Sequence, residues 1–200
     1  MNYFVGLDLG QAQDYTALSV LQAVGTEYHI RHLQRFRLGT SYPDVVAETG
    51  KMMATLQDAV LVVDNTGVGR PVVDLFRQAQ LRPIAVSITG GDAATFDGGA
   101  WRVPKRDLVG ALAVAFQSGT LKIAPDLPEA KTLIEELLNF KVKINLKTAH
   151  DSYEAWREGV HDDLVLSVAL ALWYAARPRP HIRVAAFKNG VQVGRGFSSS

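Results

Sequence analysis

Four aspartates stand where a globular chain seldom leaves a bare charge, at the ends of its most apolar stretches. Asp8 closes the run Tyr3-Phe4-Val5-Gly6-Leu7, Asp64 closes Ala59-Val60-Leu61-Val62-Val63, and Asp162 and Asp163 precede LVLSVALALWYAA at Leu164 to Ala176. An ionised carboxylate buried at such a position is costly unless a cation or hydrogen-bond donors compensate it. Each aspartate has a local explanation. Asp8 can cap the loop Gly10-Gln11-Ala12-Gln13, Asp64 can be the turn residue before Asn65, and Asp162 or Asp163 can N-cap the helix that follows or sit on its dipole. The joint explanation is one shared site. Carboxylates held within a few ångströms repel, and divalent cations relieve that repulsion. Two such ions about 3.5–4 Å apart are the usual device for in-line attack on a phosphodiester, one activating water and the other stabilising the leaving oxygen.

Composition narrows the metal. The chain has no cysteine, which excludes disulfide frameworks, thiolate zinc sites and cysteine nucleophiles. A metal must then sit on oxygen or imidazole, and oxygen-rich sites favour Mg²⁺ or Mn²⁺. Two hundred residues, 48% of them hydrophobic, suffice for one core and point to a single domain. No apolar run approaches the roughly 18 residues that span a bilayer, and the N-terminus lacks the basic-then-apolar layout of a signal peptide. The expectation is a soluble, cytoplasmic protein with no membrane partner. The net charge of +1 hides an asymmetry: the tail from Arg177 to Ser200 holds Arg177, Arg179, Arg183, Lys188 and Arg195 and no acid. Removing those five from 21 basic residues leaves 16 against 20 acids. The body is mildly acidic and the tail basic, so a nucleic-acid partner must be argued from local features.

The elements that must position the aspartates follow in order. The Asp8 strand leads through a polar loop to an apolar, β-prone run at Tyr15 to Val24, then to Glu27 to Leu38. There Tyr28, Ile30, Phe36 and Leu38 share one parity, and His29, Arg31, Arg35 and Arg37 the other. Short links predict an antiparallel meander with the basic parity on a solvated face or protected edge. Pro43 opens a helix to about Leu56. Ala59 to Val63 reads as a strand buried on both faces, followed by a helix at about Arg70 to Gln80 and a strand at Pro83 to Ile88, a parallel strand-helix-strand unit. Thr89 to Trp101 (TGGDAATFDGGAW) reads as a long mobile loop. Helices are expected at Lys105 to Ser118 and Pro128 to Asn139, with Leu121-Lys122-Ile123 a short strand or link between them. Phe140 to Leu146 (FKVKINL) alternates and reads as one more strand. Lys147 to Gly159 is polar and irregular, and the helix from Leu164 must pack deep because it is apolar on nearly all sides. Pro178 and Pro180 end it, and the tail carries a hairpin-like Asn189-Gly190.

GLDLGQAQDYTA at Gly6 to Ala17, VVDNTGVG at Val62 to Gly69, KRDLVGALAVAFQSGTLKI at Lys105 to Ile123, EELLNF at Glu135 to Phe140 and HDDLVLSVALAL at His161 to Leu172 together resemble the nuclease domain of the tailed-phage large terminase subunit, of the ribonuclease H-like, RuvC-like group. The resemblance runs from Tyr3 to about Ala176. It implies an α/β fold whose mixed sheet has three antiparallel strands followed by parallel ones, flanked by helices, in a domain at residues 1–176 with a basic tail at 177–200. It also implies a metal-dependent endonuclease that cleaves duplex DNA during genome packaging, in the host cytoplasm if phage-encoded. Carried over by motif, Asp8 and Asp64 are the strand-borne ligands, and Asp163 with Asp162 beside it completes a site for Mg²⁺ or Mn²⁺, two ions in all. Asp14 matches an acidic loop position of the first motif, with a turn role equally open. Lys105 and Arg106 are candidate phosphate contacts or simply a solvated helix start. His150 and His161 either lie near the metals or are structural. The Gly-rich loop could border the DNA groove.

One departure concerns the motor. Large terminases carry an ATPase domain ahead of the nuclease. Here the only Gly-Lys pair, Gly50-Lys51, has Val45 where a P-loop needs its first glycine and Met52 where it needs Ser or Thr. The expectation is an excised domain or a separately encoded nuclease module, partnered with duplex DNA and with a packaging ATPase domain and portal. Three other readings stand beside it. A RuvC-like resolvase shares the strand-borne aspartate and the late acidic pair. An actin-like or sugar-kinase-like nucleotide-binding domain shares the GLDLG hairpin but needs further phosphate and adenosine motifs. A non-catalytic DNA-binding packaging module would keep the fold without turnover.

Overall fold

A computed structural model describes residues 3–10, 14–67, 69–146 and 162–177. Among these residues eight strands form one sheet in the order β6-β7-β5-β4-β1-β2-β3-β8. β1 (Tyr3–Asp8), β2 (Ala17–Val24) and β3 (Glu27–Arg35) make the antiparallel meander. β4 (Ala59–Asp64) then runs parallel beside β1, β5 (Ile84–Thr89) parallel beside β4, and β7 (Ala100–Pro104) parallel beside β5. The mixed sheet is the one the resemblance implies.

Among the described residues five helices cover the two faces. α1 (Tyr42–Thr55) and α2 (Gly69–Gln78) bury Val45, Val46, Val72, Val73 and Phe76 on one side, where α1 and α2 meet Val5, Leu7, Leu61 and Val63. α3 (Lys105–Gln117), α4 (Ala130–Leu146) and α5 (Asp163–Ala175) cover the other side, against Phe4, Val62, Val86 and Val103. Buried residues line α5 on nearly every side, from Asp163 to Val165 and from Ser167 to Trp173, as its unbroken apolarity requires. Gly50-Lys51 lies inside α1, where a helical backbone cannot form a phosphate loop. Among the described residues no helix is long and apolar enough to cross a membrane.

The structure corrects two elements. Phe140 to Leu146 is the end of α4, not a strand. Its period-two alternation is real, but Leu133, Leu137, Phe140 and Ile144 also follow helical spacing, and no turn residue separates Asn139 from Phe140. An uninterrupted helix therefore continues. Thr89 to Trp101 contains a hairpin in place of a loop: β6 (Thr95–Asp97) pairs antiparallel with β7 across Gly98 and Gly99, whose φ values are +59° and +83°. A two-residue Gly-Gly link is the turn such a hairpin requires. The link at Leu121–Ile123 is strand β8, parallel to β3.

The basic parity of β3 is broken by a bulge. Leu21 pairs with Ile30 but Val20 with His32, leaving Arg31 as the extra residue. The inward face shifts from even to odd numbers there, so Ile30 and Leu33 join the same core and Arg35 turns towards the α4–α5 side. Arg35 is only 24% exposed, pairs with Glu129 at 3.1 Å and lies 5.0 Å over the Tyr15 ring. It is not the solvated residue that simple parity predicts.

Candidate functional site

The site begins with register. Leu7 stands opposite Val63 in the parallel β1–β4 pair, and Asp8 and Asp64 are the next residue on each strand. Phe4 and Val62 face α5 while Leu7 and Val63 face α1 and α2. Alternation then turns both side chains to the α5 side, their strands one spacing of about 4.8 Å apart.

The helix that meets them arrives from the opposite direction. The Phe4 ring lies 6.4 Å from Tyr174, and Gly6 packs on Ser167 and Ala171. Moving along β1 towards Asp8 thus moves towards the N-terminus of α5. Asp163 is one turn before Ser167, which brings it to the Asp8 end. A Cβ on Gly6 would stand 1.9 Å from the Ser167 carbonyl oxygen, so no other residue allows this approach. Asp8, Asp64 and Asp163 are 8%, 6% and 6% exposed, and Asp162 is half-buried.

Local roles are met as well. Asp64 Oδ1 accepts the Thr66 N–H at 2.7 Å, an Asx turn. The loop after β4 is stitched to β5 by three bonds: Asn65 N–H to the Val86 carbonyl, Ser87 Oγ to Asn65 Oδ1, and Ile88 N–H to Thr66 Oγ1. At the end of β1 the Gly10 N–H donates to Thr16 Oγ1 at 3.1 Å, and the Tyr42 hydroxyl donates to the Gly10 carbonyl at 3.2 Å. A Cβ on Gly10 would lie 2.3 Å from the Asp14 carbonyl oxygen, so glycine is needed for the chain to fold back. Asp162 occupies the N-cap position of α5, but its side chain makes no capping bond.

That capping bond comes from a residue sequence reasoning passed over. Glu136 of α4, 6% exposed, accepts the Val165 N–H through Oε2 at 3.1 Å. Its carboxyl is pushed up to about 8, first by burial, against the pull of the Val165 N–H, with Asp163 and then Asp162 adding repulsion and Arg35 attraction. A signal existed: of the pair Glu135-Glu136, the second continues the three-residue spacing of Ala130 and Leu133, both buried.

Other expected residues lie apart from this cluster. Lys105 begins α3 just past β7, two strands from β4 and beyond the level of Asp64. Arg106 is tied to the β5–β6 link: its guanidinium is 3.2 Å from the Asp92 carboxylate and also donates to the Asp92 carbonyl. Asp14 is exposed. Arg177, first residue of the basic tail, packs its guanidinium 3.9 Å from the Trp101 ring centre and 4.8 Å from that of Trp173. His150, His161 and the Asn189-Gly190 segment fall outside the described residues.

Among the described residues no group of three or more His, Asp or Glu side chains is arranged, as it stands, to hold a metal ion. What converges is the backbone, at the end of β1, the end of β4 and the start of α5. The donor set is all carboxylate oxygen, and Glu136 Oε1 is buried without a hydrogen-bond partner among the described residues. In chemistry these groups suit a hard divalent cation.

Comparison with known proteins agrees with this fold. Residues 5–174 match the model of the terminase RNaseH-like domain. The chain is 27% identical over 170 residues to the large terminase subunits of Thermus phage G20c and Thermus virus P23-45, a match covering 84% of this chain and 31% of each relative. It thus spans about a third of their length. The G20c large terminase nuclease solved with bound cobalt superposes with a TM-score of 0.62 at 24% identity, over 86% of this chain and 80% of that one. The human cytomegalovirus terminase nuclease domain, soaked with Mn, gives 0.56 at 15% identity, over 88% and 85%.

Proposed function

This chain belongs to the family of terminase RNase H-like domains, and we propose that it is a divalent-metal-dependent endonuclease that hydrolyses duplex DNA during genome packaging in the host cytoplasm. The observation that carries the reading is the parallel register that sets Asp8 beside Asp64 on the face where α5 begins with Asp163. The relatives' association with magnesium, cobalt and manganese supports a hard cation here. Asp8, Asp64 and Asp163 are its ligands in this proposal, with half-buried Asp162 at the solvent side. Two bound cations would supply Lewis acidity to the phosphodiester and a water acidic enough to attack it at neutral pH.

The chain's own residues shape the rest. The stitched loop from Asn65 to Thr66 holds Asp64 rigidly, and the Gly6 contact fixes how closely α5 approaches. Lys105 and Arg106, at the start of α3, are candidate phosphate contacts, the Arg106 guanidinium also pairing with Asp92. A packaging ATPase domain and portal are the partners in this proposal. Incubating supercoiled plasmid with Mn²⁺, Mg²⁺ or EDTA tests the reading. The wild type should nick or linearise it with metal and not with EDTA. Asp64→Ala should fall at least about 100-fold, beyond the usual cost of losing a mere outer partner of a metal ligand. A wild type inert with both metals, or an Asp64→Ala variant as active as wild type, would refute it.

A further inference from the structure

We propose that Glu136 is the positioning residue of the carboxylate site, holding the first turn of α5 so that Asp162 and Asp163 stay at the ends of β1 and β4. The inference rests on the nuclease reading above. Helix caps are normally local: the N-cap side chain serves the N–H groups two or three residues on. In α5 the N-cap is Asp162, and its side chain makes no such bond. Val165, the third helical residue, instead donates to Glu136, 29 positions upstream on a different helix. The docking of α4 and the pose of the first turn of α5 are therefore one event.

A purely packing role does not explain the residue. Its stripe on α4 is set by Ala130 and Leu133, 2% and 0% exposed, and an apolar side chain would extend that stripe at no desolvation cost. Instead a carboxyl group is kept there with Oε1 unpartnered among the described residues, beside the two acids whose position matters. The cap of this turn thus comes from α4 and not from the Asp162 side chain. Arg35 is turned to the same side by the β3 bulge and is tied to Glu129 at 3.1 Å.

The test compares the full chain with Glu136→Ala and Glu136→Gln, the latter keeping an oxygen that can accept the Val165 N–H. The readouts are amide hydrogen exchange at Val165 in EDTA and Mn²⁺ affinity by electron paramagnetic resonance. Glu136→Ala should speed exchange and weaken Mn²⁺ binding about 10- to 100-fold, the usual cost of losing an outer partner of a metal ligand. Glu136→Gln should restore both to within about fivefold, since its side-chain oxygen can still accept the Val165 N–H. If the alanine variant does not fold, Glu136→Met, close in volume and without an acceptor, takes its place. Unchanged exchange and affinity in the acceptor-free variant would overturn the proposal. So would a glutamine variant that regains protection but not Mn²⁺ affinity, since charge and not the cap would then be operative. A wild type that binds no Mn²⁺ would instead refute the nuclease reading, while exchange still judges the cap.

Discussion

The two faces of the sheet are made by the same strands, residue by alternate residue, yet they end differently. On the α1–α2 face the strand residues Val5, Leu7, Leu61 and Val63 meet Val72 and Phe76, and α1 buries Val45, Val46 and the uncharged Thr49. On the α5 face the run Phe4, Gly6 and Val62 gives way at the rim to Asp8, Asp64, Asp163 and Glu136. The first face stabilises, and the second stabilises and also carries charge. Placing the carboxylates beneath a helix buried nearly all round removes them from water, which strengthens whatever they bind and raises the cost of leaving them bare.

Substitutions on the two faces should therefore separate stability from cation binding. Phe76→Ala, on the apolar face, should cost about 3–5 kcal/mol in urea denaturation and leave the Mn²⁺ affinity of the folded protein unchanged. Gly6→Ala should cost roughly 1–3 kcal/mol from overpacking and also weaken Mn²⁺ binding, because the new methyl pushes α5 away from β1. If Phe76→Ala impaired Mn²⁺ binding as much as Gly6→Ala, the distinction between the faces would fail.

The charged rim should also show in pH dependence. With its carboxyl pushed up to about 8 from 4.5, Glu136 holds its proton in the folded state over a range where the unfolded chain has released it. Its contribution to stability is full below about 4.5 and is lost as pH rises through about 8. In EDTA the urea midpoint should decline across that window, and Glu136→Gln should flatten the decline. Arg106→Ala, which breaks a half-exposed pair with Asp92, should change stability by less than about 1 kcal/mol and leave Mn²⁺ affinity untouched.

What could be read from the chain depended on how local its cause was. Asp8 and Asp64 were legible because a strand's period of two and a continuous apolar run reveal which residue comes last. The α5 boundary was legible because few other segments are apolar on all sides. Glu136 was not, since its role depends on α4 docking against α5, and a glutamate pair on a helix ordinarily reads as solvated. Arg35 was misplaced because one extra residue at Arg31 exchanges the faces of the strand beyond it. Phe140 to Leu146 satisfied two periodicities at once, and only continuity with the preceding helix decides between them. The hairpin at Thr95 to Pro104 was concealed by its small residues, although Gly98-Gly99 is itself the turn.

The most direct test is a crystal of this chain soaked in Mn²⁺, with anomalous scattering recorded at the manganese edge. The carboxylate site requires anomalous peaks ligated by Asp8, Asp64 and Asp163, and their loss in Asp64→Ala. Saturating Mn²⁺ with no peak between those side chains, or an undiminished peak in the variant, would contradict it.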